Sequence, residues 1–227
     1  DDTVEGGLGN DTIIAGGGND MIDGGDGDDH LEGGSGDDVI IGGNGNDYIV
    51  GRLGNDTISG DAGVDQIAGE EGDDLIHGGT GDDTLQGGSG NDVVVGGDGS
   101  DRIFGAPSGG DGLGDRDIVI GGQGADGLFG RGDDDILVGN ATDHDDDFGA
   151  LAALLTEWTS SNDVATRRGN IAAGVPFGMS TVALNASHIY SDGVRAILTG
   201  GLGADWYLAS SEDGITRLSG EDAATFI

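Results

Sequence analysis

The stretch Gly33-Gly34-Ser35-Gly36-Asp37-Asp38-Val39-Ile40-Ile41 is one copy of a nonapeptide, G-G-x-G-x-D-x-U-x with U aliphatic, that recurs in phase along the chain. Its Asp repeats as Asp11, Asp20, Asp29, Asp38, Asp47, Asp56, Asp65, Asp74, Asp83, Asp92 and Asp101. Two places behind runs an aliphatic rank: Ile13, Ile22, Leu31, Ile40, Ile49, Ile58, Ile67, Ile76, Leu85, Val94 and Ile103. Glycine stands two places before each Asp, and in most units also four and five places before it. One glycine-rich string carries little information. Eleven in register decide the fold.

The last three residues of a unit, such as Val39-Ile40-Ile41, form a strand too short to stand alone. Alternation sends its middle residue inward and the neighbours outward. The six residues before it must reverse the chain, and glycine supplies backbone angles that other residues reach only with strain. Two nonapeptides complete one coil. The predicted architecture is therefore all-β, a parallel β-roll (a β-solenoid): two thin parallel sheets on one aliphatic seam, with coils stacked at roughly 4.8 Å. A seam one side chain wide is not expected to offset the ordering of so many glycines.

The remaining stabilisation is expected from the turns. Stacking brings the Asp of one repeat near the Asp two repeats on, with glycine carbonyls aimed into the same gap. A hard cation with six or more oxygen ligands suits that gap, and calcium is the expected cofactor, bound as multiple ions. Magnesium demands a tighter octahedron and holds its water. Zinc-type metals are disfavoured, because the chain has no Cys and its His30, His77, His144 and His188 follow no ligand spacing. Charge agrees. The net charge is −36, with 44 acidic residues against eight Arg. Residues 1–139 hold 32 acidic and four basic residues, a net of −28. Without cations such an array is expected to repel itself and stay disordered, so that binding and folding are one event. Extracellular calcium modules bind at about 10⁻⁴–10⁻³ M, so the folded state belongs outside the cell.

The array resembles the RTX (repeats-in-toxin, haemolysin-type calcium-binding) family over about residues 2–139. The resemblance implies repeats that are extracellular, commonly exported unfolded by type I secretion, and folded on meeting calcium. It also implies the ligands. They are the carboxylates of the Asp rank, and carbonyls of the turn glycines Gly7, Gly9, Gly16, Gly18, Gly25, Gly27, Gly34, Gly36, Gly43, Gly45, Gly79, Gly81, Gly88, Gly90, Gly97 and Gly99. Gly105–Asp111 reads as a seven-residue insertion, after which phase resumes with Asp117/Val119, Asp126/Leu128 and Asp135/Leu137, extending the ligand rank to Asp117, Asp126 and Asp135. Arg52, Asp61 and Glu70 replace the second glycine in three consecutive units, and Asp115 and Asp133 occupy a glycine position near the end, so strained or altered turns are expected there.

Composition changes after Gly139, which divides the chain into a roll (1–139) and a small mixed α/β unit (140–227) expected to cap it or to serve export. Asp145-Asp146-Asp147 precede Phe148, Leu151, Leu154, Leu155 and Trp158, so a helix is expected at about 146–158. Gly169 and Gly174 are expected to break any continuation, and short strands follow from Thr181. Gly200–Leu208 is a single nonapeptide returning. Glu157-Trp158-Thr159, Arg167 to Asn170 and Asp205-Trp206-Tyr207 resemble a tail that follows such arrays in large secreted bacterial proteins. Glu221–Ile227, acidic then apolar, is similar to type I secretion termini, and reads equally as an ordinary last strand. Val93/Val95, Ile118/Ile120 and Ile136/Val138 form an outward apolar stripe that the helix is expected to cover.

No H-E-x-x-H or G-x-S-x-G occurs, and a period of nine forbids the strand–helix unit that a dinucleotide site needs. His30 and His77 are expected to face solvent. In pairs such as Asp37-Asp38 the second residue reads as a ligand and the first as a solvated neighbour. Nucleic acid is not an expected partner for so acidic a surface, and no apolar run is long enough to span a membrane. The outward positions carry no threonine rank, which argues against ice binding. The expected function is a calcium-binding structural and interaction module without catalysis of its own. It reads as a monomer, starting mid-repeat and joined to upstream domains as the C-terminal part of a larger secreted or surface bacterial protein. The alternative is the non-catalytic end of an exported protease, lipase or polysaccharide epimerase whose active site lies upstream.

Overall fold

A computed structural model describes residues 1–107, 115–132, 134–142, 148–173, 175–177, 180–182, 189–190, 196–200, 205–209, 214–216 and 223–226. Successive strands alternate between two sheets. The ten-stranded sheet contains Thr3–Leu8, Met21–Asp26, Val39–Asn44, Thr57–Ala62, Leu75–Thr80, Val93–Asp98, Ile118–Gln123, Ile136–Val138, Trp206–Ala209 and Ala223–Phe226. The nine-stranded sheet contains Thr12–Gly17, His30–Ser35, Tyr48–Leu53, Gln66–Glu71, Thr84–Ser89, Arg102–Phe104, Gly127–Phe129, Ile197–Thr199 and Gly214–Thr216. Neighbours in both are parallel, with Ile22 opposite Ile40 and Leu31 opposite Ile49. The molecule is the all-β parallel roll that the period requires. Ile22, Leu31, Ile40, Ile49 and Ile58 are completely buried in one seam.

The register identifies two detours. Asp92 meets Asp117 at a separation of 25 residues instead of 18, so the seven-residue insertion leaves phase intact. Further on, Asp135 meets Asp205 across 70 residues, a detour of 52 beyond the coil's 18. Strands Ile197–Thr199 and Trp206–Ala209 then rejoin the two sheets, and Leu198 and Tyr207 enter the same seam. The sheets run on past residue 139.

The long detour carries helices α1 (Phe148–Trp158) and α2 (Val164–Ala173). Residues 146–147, the expected start of the first helix, lie outside the described residues. The second helix corrects the sequence reading, since it runs through Gly169. Glycine costs only about 1 kcal/mol in a helix interior, and other contacts outweigh that. Asp163 caps the helix, accepting from the Thr166 backbone N–H and from its hydroxyl, both at 2.9 Å. Those two hydrogen bonds hold the Asp163 carboxyl below its ordinary pKa. Ile171 is buried, and the guanidinium of Arg167 lies 4.7 Å from the Trp158 ring centre.

Helix α1 lies on the apolar stripe of the ten-stranded sheet. Val93, Val95, Ile118, Ile120, Ile136 and Val138 are buried with Leu151, Leu154, Trp158, Trp206 and Leu208 in a second core. The expected cover is in place.

Candidate metal centre

Where a strand bends into a turn, its backbone loses its regular partner, and the Asp rank supplies one. The backbone N–H of Asp20 donates to Oδ1 of Asp38, that of Asp38 to Oδ1 of Asp56, and that of Asp56 to Oδ1 of Asp74, each at 2.8 Å. On the opposite edge the series runs Asp11, Asp29, Asp47, Asp65, Asp83 and Asp101, at 2.7 to 2.8 Å. Across the insertion, Asp117 and Asp135 continue the first file through Asp92, and Asp126 continues the second. Every expected ligand Asp therefore stands in one of two stacked files, one along each edge of the roll.

The second oxygen is the informative one. Oδ2 of Asp11, Asp20, Asp29, Asp38, Asp47, Asp56, Asp65, Asp74, Asp83, Asp92, Asp101 and Asp117 is buried without a hydrogen-bond partner. One such atom costs about 1–3 kcal/mol, and more when charged. A file of them is a structural demand for cations. Carbonyl oxygens crowd the same turns. A Cβ placed on Gly24 meets Oδ2 of Asp29 at 2.5 Å and the carbonyl oxygen of Gly42 at 2.6 Å. At Gly43, where φ is 105°, it meets the carbonyl of Gly25. Glycine at these positions lets carboxylate and carbonyls approach closely. Among the described residues no three acidic or His side chains form a metal cage. The donors on offer are one carboxylate oxygen per turn and backbone carbonyls, the all-oxygen set of a hard cation such as calcium. The residues fit the ion.

Without a cation Asp56, Asp65, Asp74, Asp83 and Asp101 resist ionisation. Burial, the main cause, raises Asp56 and Asp65 to about 6 and Asp74, Asp83 and Asp101 to about 7. Asp92 and Asp117 are buried more deeply, and each has a further Asp nearby, Asp117 beside Asp92 and Asp135 beside Asp117. Burial, and then that neighbour's charge, hold both well above the ordinary carboxylate range.

The sixteen glycines expected in the turns all have positive φ there. So do Arg52 at 85°, Asp61 at 67° and Glu70 at 84°, and Arg131 at 60° joins them. The substituted turns keep the backbone path of their neighbours and bear its strain. Arg52 makes use of its position, reaching Glu32 at 2.6 Å and Glu70 at 3.9 Å.

Three features escaped the sequence reading. The first glycine of the unit, as at Gly24, Gly33 and Gly42, is the one packed on Oδ2, and the G-G doublet was its signal. Asp205 belongs to the file, accepting from the Asp135 N–H at 3.0 Å, and is itself buried. Where the residue before a ligand Asp is itself Asn or Asp, it is more than a solvated neighbour. Oδ1 of Asp37 accepts from the Asn55 N–H at 2.9 Å, and Oδ1 of Asn55 accepts from Asp73 at 2.8 Å. Its alternation (Asp1, Asn19, Asp37, Asn55, Asp73, Asn91) spaces the charges along the edge. His30 is exposed, whereas His77 is only half-exposed and lines a cleft with Asp61, Thr80, Asp98 and Thr142. His144 and His188 lie outside the described residues.

A family model, the RTX calcium-binding nonapeptide repeat, matches residues 1–31, 23–58, 41–76, 50–85, 77–107 and 111–143. No curated protein matches the chain. Among the described residues no helix is long and apolar enough to cross a membrane.

Proposed function

This chain belongs to the RTX calcium-binding nonapeptide repeat family, and we propose that it is a non-catalytic structural and interaction module which calcium folds outside the cell, as the C-terminal part of a larger secreted or surface protein. Repeats of this family bind calcium and typify secreted proteins. The observation that carries the reading is the double file of buried, unsatisfied Oδ2 atoms. The ligands we assign are those oxygens of the Asp rank, from Asp11 to Asp135, and carbonyls of the turn glycines. Calcium supplies positive charge where the buried carboxylates of adjacent coils would otherwise repel. The protein's own contribution is positional. The Oδ1 hydrogen bonds lock each carboxylate in place, and the glycines let the turns close around it. We read residues 140–227 as a capping unit, with α1 on the apolar stripe and Asp205 as one more candidate ligand.

Circular dichroism in a chelator, and then at millimolar calcium, tests this. A mostly disordered chain that gains β structure with calcium, and little with magnesium, is expected. A full β signal in chelator would overturn the proposal.

A further inference from the structure

Most of this surface is acidic, but one face is not. Along the nine-stranded sheet, His30, Tyr48, Gln66, Thr84 and Arg102 stand side by side in register, all exposed. The outward positions beside them carry two carboxylates, Glu32 and Glu70, which lie 2.6 and 3.9 Å from the guanidinium of Arg52. In a chain with 44 acidic residues, that is a long neutral-to-basic strip. Its outward side is open, whereas helix α1 covers the corresponding part of the other sheet.

At the end of the strip, Phe104 and Phe129 stack with centroids 5.0 Å apart. Arg131 lies 4.2 Å and Arg102 5.1 Å from the centre of the Phe104 ring. The other described Arg residues all meet acids or carbonyls. Arg52 binds Glu32, Arg116 and Arg167 share Asp134, and Arg168 donates to the Asp205 carbonyl. Arg102 and Arg131 meet no carboxylate among the described residues. Burial, and then the repulsion of Arg102, lower the pKa of Arg131. Two guanidiniums side by side on a chain of charge −36 leave room for an anion from outside.

We propose that this face binds an extended saccharide chain bearing carboxylate groups. Guanidinium forks match carboxylates in a two-toothed geometry. The His30 and Tyr48 rings, 4.9 Å apart and tilted 45° to one another, offer two adjacent aromatic surfaces with polar edges. Gln66 and Thr84 each both donate and accept, as neighbouring sugar hydroxyls require. Four inter-strand steps from His30 to Arg102 span roughly 19 Å, the reach of an oligosaccharide. A protein partner fits less well, because the exposed row lacks the apolar centre of a protein interface. Nucleic acid, charged at every nucleotide, would need cations along the whole strip, whereas a saccharide carries fewer charges with hydroxyls between them.

The test is isothermal titration of the calcium-loaded protein with a hexasaccharide of alternating glucuronate and N-acetylglucosamine. Saturable, salt-sensitive binding is expected. Arg102→Gln should weaken it by about tenfold, the worth of one charge-assisted hydrogen bond. Arg102→Lys should fall between, keeping charge and losing the fork. Tyr48→Ala should weaken it severalfold, and Asp23→Asn on the other sheet should leave it unchanged. A neutral maltohexaose should bind at least tenfold more weakly. Absence of binding by protein that shows its calcium-dependent β signal would overturn the proposal. So would equal affinity of Arg102→Gln or of the neutral sugar, or equal binding of a single-stranded oligonucleotide. Failure of the wild-type chain to fold in calcium would count against the calcium reading instead.

Discussion

The coils before residue 90 and those after it share a seam and differ in what lies outside it. In the early coils the outward positions meet water: Met21 is 52% and Val39 37% exposed. In the later coils Val93, Ile118 and Ile136 occupy the same row, and none is exposed to any measurable extent. The early roll has one thin core. The later roll has two cores with a sheet between them. Apolar burial is therefore spread unevenly along a nearly uniform repeat, and the carboxylates follow it. Burial raises Asp56 to about 6 and Asp74 to about 7, and holds Asp117 well above the ordinary carboxylate range. The end richest in apolar contacts is also the end where a bare carboxylate costs most. Calcium and the helical cap thus act on the same coils, and removing either should be felt first there.

The largest expected effect is loss of the cap. Truncation after Gly139 exposes Val93, Val95, Ile118, Ile120, Ile136 and Val138, each worth about 1.5–3 kcal/mol when fully buried. A lower melting temperature in calcium and self-association by light scattering are expected. A truncated roll that stays monomeric and equally stable would show that the second core does not support the first.

A single side chain gives a sharper comparison. Trp158 is completely buried, and its indole N–H donates to the Asp134 carbonyl at 2.8 Å. Trp158→Ala should cost about 3–5 kcal/mol in calcium-loaded thermal unfolding. Tyr48→Ala, at a residue 45% exposed on the early coils, should cost well under half of that. Similar losses would erase the distinction between the two regions.

Acidity separates cation from proton. Asp74, Asp83 and Asp101 have folded-state pKa values of about 7, raised above the unfolded value by burial. Protonation therefore favours the cation-free fold. That contribution is fully present below the unfolded carboxylate range and is lost as pH rises through 7. In calcium-depleted buffer, β signal should grow as pH falls from 8 toward 4. With calcium present, affinity should fall over the same range as protons compete. A cation-free chain whose β content is flat across that range would mean that carboxylate repulsion does not keep it unfolded.

The repeat was legible because two periods coincide in it. Alternation gives Ile40 its inward side chain, and nine-residue spacing gives Asp38 its stack. The seven-residue insertion was legible because Asp117 and Val119 resumed phase beyond it. Helix α2 was not. Its stability comes from tertiary contacts of Arg167 and Ile171 and from the Asp163 cap, while Gly169 argues locally against a helix. Asp205 stood in a visible nonapeptide, but a 52-residue detour separates it from the array, and only the register joins them. The alternating Asn and Asp before each ligand went unread, because a hydrogen bond to a coil eighteen residues away leaves no local signature.

The smallest expected effects lie in backbone strain, and they too divide by region. Glu70 holds φ at 84° in an early turn whose stacked neighbour Gly88 adopts the same form easily. Glu70→Gly removes a left-handed strain of about 1–2 kcal/mol. It also loses an exposed contact to Arg52 at 3.9 Å, worth little in water, and adds glycine entropy to the unfolded chain. The net expectation is a gain below about 1 kcal/mol. Gly169 sits in α2 with nothing within 4 Å of where a Cβ would stand, so Gly169→Ala should gain about 0.8–1 kcal/mol by helix propensity alone. Calcium titration separates the two. The gain at Glu70 belongs to a turn of the metal file and should lower the calcium midpoint of folding. The gain at Gly169 belongs to the cap and should appear chiefly as a higher melting temperature at saturating calcium. If Glu70→Gly destabilises the calcium-loaded protein, the Arg52–Glu70 contact outweighs the strain, and the three substituted turns are adapted rather than tolerated.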